Sequence, residues 1–116
     1  MTATRPLAYG YVRLPAHADV DGARAYVDQV RAQLAAVARR EGLALSAVFC
    51  ETRTSGQRAF YAMVERVRRD QAVAVIVPNL AHLNQLPALA GADRRSASRY
   101  LHAAVFTVAA HPPEGP

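Results

Sequence analysis

The side chains able to do chemistry fall at the ends of apolar runs. The stretch YGYVRLPAHAD, residues 9–19, closes such a run with Arg13, a cation that can hold a phosphate. Two residues later stands Pro15, which has no atom able to attack anything. Cys50 and Glu51 end a second apolar run. A thiol there is a candidate nucleophile, but an adjacent carboxylate raises a thiol pKa and no histidine neighbours it, so a packed strand cysteine is the competing reading. Ser55-Gly56, between Arg53 and Arg58, is placed to cap a helix, and the same helix N-terminus suits an anion. His17, His82, His102 and His111 show neither the helix-pair nor the finger spacing of a metal site, although His17 and His82 can meet at the mouth of a sheet. No metal is expected. No G-x-G-x-x-G follows the first run and no Walker motif occurs, so no nucleotide cofactor, and no other cofactor, is expected.

The elements that must position these groups alternate. Residues 7–14 read as a strand buried on both faces. Asp19 or Asp21 caps a helix of residues 20–41, whose apolar positions Ala23, Tyr26, Val27, Val30, Leu34, Val37 and Ala38 share one face, with Gly42 as the stop. Residues 44–51 form a second strand. Ser55 caps a second helix with Phe60, Met63, Val64 and Val67 inward and Arg58, Arg66, Arg68 and Arg69 outside or at its ends. AVAVIVP is a third strand, continuous in apolar residues as a central parallel strand should be, and Pro78 closes it. Residues 79–100 are interrupted by Pro87 and Gly91, with ADRRSASRYLH able to form a short helix; AAVFTVA is a fourth strand. Residues 1–110 make one domain, and the tail 111–116 is expected to be disordered. The expected fold is an α/β three-layer sandwich around a mostly parallel four- to five-stranded sheet, with ligands bound outside the carboxyl ends of the strands.

Composition fits one soluble domain: 52% of residues are hydrophobic and 20% charged. No apolar run is long enough for a bilayer and residues 1–6 lack a signal-peptide pattern, so no membrane is expected. One cysteine excludes an internal disulfide and makes a cytoplasmic location the expectation. The net charge is +5, and all 14 basic residues are arginine. Such a balance permits DNA or an acidic partner, while solvated helix faces are the plain alternative.

In order and spacing, YGYVRLP, DQVRAQL, ETRTSGQR and VAVIVPNLAHLNQ resemble the catalytic domain of the serine recombinases (the resolvase/invertase family), over roughly residues 7–110. In that family the first strand reads Y-x-R-x-S, and the serine attacks a DNA phosphodiester while arginines stabilise the phosphorus charge. Tyr11 and Arg13 match, and the nucleophile position is Pro15. Gln29 matches the family glutamine of the first helix, Ser55 and Gly56 match the S-G that follows the second strand, and Arg58 stands for the arginine after it. The family's L-D-R-L-G-R reads here as Leu80-Ala81-His82-Leu83-Asn84-Gln85. The resemblance therefore implies a degenerate active site at Arg13, Pro15, Ala81, His82 and Gln85. The long dimer helix and separate DNA-binding module that follow in the family are not expected in this chain.

Three readings follow. The first is a catalytically inactive resolvase-like module in regulation or scaffolding, with a protein partner or self-association. The second is a DNA-associated protein using Arg13, Arg53, Ser55, Arg58, Arg66 and Arg69, with Arg68 beside them. The third is an enzyme with chemistry relocated to Cys50 or His82.

Overall fold

A computed structural model describes residues 5–15, 19–52 and 54–108. The expected tail 111–116, His17, His111 and Arg53 lie outside the described residues. The order is β1 (Leu7–Arg13), α1 (Val20–Arg40), β2 (Ala44–Glu51), α2 (Arg58–Asp70), β3 (Ala74–Val77), α3 (Ala81–Asn84), a 3-10 turn (Pro87–Leu89), α4 (Arg94–Leu101) and β4 (Ala104–Thr107). The four described strands form one all-parallel sheet in the order β2-β1-β3-β4.

That order explains the layers. From β1 the chain moves one way to β2, then crosses back over β1 to β3 and on to β4. Right-handed crossovers running in opposite directions put their helices on opposite faces. Alternate strand residues point to opposite faces. Ala8 and Val12 accordingly pack with Val30, Leu34, Val37 and Ala38 of α1. Tyr9 and Tyr11 pack with Phe60, Met63 and Val67 of α2 and with Ala97 and Leu101 of α4. The direction of winding reverses between β1 and β3, the position where open α/β sheets form a crevice.

All three helix-to-strand turns are built alike. Gly42, Gln71 and His102 are left-handed, with φ of 73°, 56° and 56°. The next residue (Leu43, Ala72 or Ala103) is buried, and its amide donates to the carbonyl five residues back, Ala38, Val67 or Ser98. Two residues after each left-handed position, Ala44, Val73 and Ala104 donate the first bond to a neighbouring strand, each at 2.9 Å. Only the first turn uses glycine, which adopts this conformation without a Cβ penalty.

Gly10 has a different reason. It lies where α1 crosses β1, and a Cβ there would sit 2.8 Å from Leu34 Cδ1 and 3.1 Å from Val48 Cγ2. Leu34 is fully buried, so a displaced Cδ1 would press on the core between α1 and the sheet. Gly10→Ala is expected to cost about 1–3 kcal/mol by overpacking, read as a lowered urea midpoint at unchanged slope.

The boundaries depart from expectation in instructive places. The third strand begins at Ala74, because Ala72 and Val73 belong to the turn. The second helix begins at Arg58 with Gln57 as N-cap and no side-chain cap bond, so Ser55 is not its cap. Asp19, not Asp21, caps α1, accepting from the Gly22 amide at 2.6 Å. No helix among the described residues is long and apolar enough to cross a membrane.

Candidate functional site: a pocket at the carboxyl ends of β1, β2 and β3

The strands start level but end unevenly. β1 and β2 have 7 and 8 residues, β3 and β4 only 4 each. By register Val77 lies beside Tyr11, so at about 3.3 Å per residue β1 overshoots β3 by roughly 7 Å. The β1–β3 ladder stops at Gly10↔Ile76, and Pro78 has no amide to extend it. A pocket of about 460 Å³ occupies this step, lined by Arg13, Leu14, Pro15, Tyr26, Glu51, Thr52, His82 and Gln85.

The early stop leaves the Arg13 amide facing away from β2 without a strand partner. His82 supplies one: its Nδ1 accepts from the Arg13 amide at 3.0 Å. An accepting Nδ1 carries no proton, so the neutral ring holds its hydrogen on Nε2. Burial, then the Arg13 charge, pushes the His82 pKa below its ordinary value of 6.5. The ring is held by the one-turn helix α3. There the Ala81 amide donates to Asn79 Oδ1 at 2.9 Å, and Asn84 Nδ2 donates to the carbonyls of Leu89 and Ala92 at 3.0 and 2.9 Å. A histidine with a depressed folded pKa binds fewer protons folded than unfolded, so stability rises with pH across that window. Stability is therefore expected to fall as pH drops from about 6.5 through the lowered pKa. Urea midpoints at pH 7.5 and 5 test this: His82→Asn should flatten the slope, and an unchanged slope would remove His82 as its source.

Glu51 organises the other wall. It is 1% exposed. Its Oε1 accepts from the Ser55 hydroxyl at 2.8 Å and the Ala59 amide at 2.7 Å. Its Oε2 accepts from the Tyr11 hydroxyl at 3.1 Å and the Phe60 amide at 3.4 Å. The amides of Ala59 and Phe60 are first-turn donors of α2, which otherwise lack intrahelical partners. The carboxylate of a strand end thus caps the next helix. Burial is the main cause that drives the Tyr11 phenol far above its ordinary pKa. Arg13 Nη1 donates to that phenol at 3.1 Å, so the arginine reaches Glu51 through Tyr11.

Of the expected degenerate positions, Arg13, Pro15, His82 and Gln85 share this pocket, whereas Ala81 is exposed outside its lining. Gln29 lies exposed on α1, and Tyr26 faces the pocket in its place. Cys50 packs on the α1 side of the sheet, opposite Glu51, and burial chiefly raises its thiol pKa. Two hydroxyls do line the pocket. Thr52 Oγ1 accepts from the Ser55 amide at 3.1 Å, and burial raises the Tyr26 phenol, keeping it protonated. Ser98, remote from Arg13, donates to the Ala103 carbonyl. No three His, Cys, Asp or Glu side chains among the described residues are grouped to hold a metal.

The arginines expected to contact DNA do not converge. Ser55 and Arg58 lie at the start of α2, while Arg66 and Arg69 lie at its other end, about 16 Å along the axis between Arg58 and Arg69. Arg66 donates to Asp70 at 3.1 Å and to the Tyr9 hydroxyl at 3.3 Å, and its guanidinium lies 5.5 Å from the Tyr9 ring centroid. Arg69 pairs with Asp70 at 3.6 Å.

Charge is instead divided by face. α1 and its caps hold Arg24, Arg31, Arg39 and Arg40 against Asp19, Asp21, Asp28 and Glu41, a balance of zero. α2, α4 and their caps hold Arg58, Arg66, Arg68, Arg69, Arg94, Arg95 and Arg99 against Glu65, Asp70 and Asp93. Most of the net charge of the whole chain therefore sits on one side of the sheet.

Fold and pocket together define a doubly wound parallel α/β domain with a crevice at its switch point. No protein-family model, curated protein or solved structure matches the chain.

Proposed function

We propose that the chain is a catalytically inactive resolvase-like domain that works by binding a protein partner, in a regulatory or scaffolding role in the cytoplasm. One observation carries this reading. The pocket that gathers Arg13, His82 and Gln85 presents Pro15 where the resembled family has its attacking serine. A proline offers no nucleophile, His82 is neutral near pH 7, and Gln85 adds no cation to stabilise a phosphorane. The single cysteine, with no disulfide partner, supports the location.

Incubation with supercoiled plasmid, followed by denaturing electrophoresis, tests the inactivity. Neither nicks nor a covalent protein–DNA band is expected, and Pro15→Ser alone should not restore them. Nicking by the natural chain that disappears in Arg13→Ala would overturn the proposal.

A second reading, DNA association, draws on the excess of arginine over α2 and α4. It requires DNA affinity that falls steeply as salt rises, because bound arginines release phosphate counterions. Fluorescence anisotropy of a labelled duplex across a salt series separates it from the first.

A further inference from the structure

The α2–α4 face has two features beyond its charge. Tyr61 of α2 and Tyr100 of α4 are 52% and 41% exposed, and both lie against the buried Phe60 ring, with centroids 5.4 and 6.4 Å away. Helix α4 also contributes to two surface grooves. One, of about 360 Å³, has buried Val67, Ala72 and Leu101 beneath exposed Arg68 and His102. The other, of about 390 Å³, runs along the β4 edge of the sheet under Arg94 and Arg95, with buried Val105 on this face and Phe106 packed toward the α1 side. Arg58, Arg68, Arg94, Arg95 and Arg99 make no ion pair among the described residues.

We infer that this face docks an acidic protein segment, with carboxylates on the unpaired arginines of α2 and α4 and apolar side chains in the two grooves. Tyrosine and arginine around desolvated apolar pockets are the residues that dominate protein–protein binding energy. A second copy of this chain is a poor occupant, because like faces would oppose the same excess of positive charge. DNA fits less well than a peptide. Duplex carries a charge about every 1.7 Å, and Glu65, Asp70 and Asp93 share these helices and caps with the arginines, whereas a peptide can place single carboxylates between them. The inference rests on the reading of the chain as a binding module and supplies the chemistry of its partner.

The test is an amide-resolved NMR titration of the full chain with a synthetic glutamate–leucine peptide, repeated with oligothymidylate of equal charge. Saturable shifts at Arg68, Arg95, Arg99 and Leu101 are expected. The triple change Arg68→Glu, Arg95→Glu, Arg99→Glu should weaken peptide binding about tenfold or more, and Arg24→Glu, Arg31→Glu on α1 should leave it unchanged. The reversed residues are exposed, so spectral dispersion checks that the variant still folds. Shifts confined to α1 or to the Arg13–His82 pocket, tighter binding of oligothymidylate on the same face, or no saturable shift at low salt would each overturn the inference. None of these outcomes produces plasmid nicking, so failure here is distinct from failure of the inactivity proposal.

Discussion

Glu51→Ala is expected to remove about 3–5 kcal/mol of stability, a large part of the 5–15 kcal/mol typical of a domain. The reason is the number of donors that depend on one side chain. The Tyr11 and Ser55 hydroxyls and the Ala59 and Phe60 amides all aim at its two oxygens. Tyr11 and Phe60 are fully buried, so their donors lose an internal partner that solvent replaces only by entering the space Glu51 leaves. Each buried donor left unsatisfied costs about 1–3 kcal/mol. Glu51→Gln should cost less, because one carbonyl oxygen remains as an acceptor. A second readout follows from chemistry. The opened N-terminus of α2 suits an external anion, so millimolar phosphate should raise the melting temperature of Glu51→Ala more than that of the natural chain. Equal stability of Glu51→Ala and the natural chain would show that the cap is not structural.

Phe60→Ala is the second large effect, at about 3–5 kcal/mol. Its ring is fully buried and meets three tyrosines: Tyr11 at 5.6 Å, Tyr61 at 5.4 Å and Tyr100 at 6.4 Å. Truncation leaves a cavity between α2, α4 and β1 and also removes the support of both exposed rings. Phe60→Leu refills most of that volume and should cost clearly less. Urea unfolding at constant slope measures the loss, and near-ultraviolet circular dichroism reports the tyrosines. If Phe60→Leu proves as costly as alanine, ring geometry outweighs the cavity.

Sequence and structure agree where the physics is local. The α1 face was legible because Val30, Leu34, Val37 and Ala38 recur at helical spacing. β3 was legible because an unbroken apolar run suits a strand covered on both faces. Parallel alternation followed from those elements. Within the stretch 79–100 the helix α4 falls inside ADRRSASRYLH as expected, but α3 and the 3-10 turn before it were not legible. Their form depends on Asn84 reaching the carbonyls of Leu89 and Ala92, a contact that no periodicity announces. Glu51 was read as the carboxylate beside Cys50 and not as the cap of α2. One signal was present: Tyr9, Tyr11 and Arg13, like Phe49 and Glu51, alternate onto one face, the face that α2 covers. Ser55 was assigned the cap because side-chain chemistry favours serine there, yet its hydroxyl serves Glu51 instead. The gathering of Arg13, Pro15, His82 and Gln85 was expected from their places at strand ends and from the resemblance. Its depth comes from the early end of β3 at Pro78.

The three matching turns after α1, α2 and α4 have a consequence for how the chain tolerates insertions and deletions. They act as a common baseline from which β2, β3 and β4 are measured. One extra residue at Leu43, Ala72 or Ala103 would turn every side chain of the following strand to the opposite face, because strand side chains alternate with a period of two. Changes of length on the far rim, between Gln85 and Asp93, would leave that baseline untouched. A length change on the rim that bears the pocket therefore stays local, displacing Leu86, Leu89 and the carbonyls that hold Asn84, whereas one on the opposite rim reverses a whole strand.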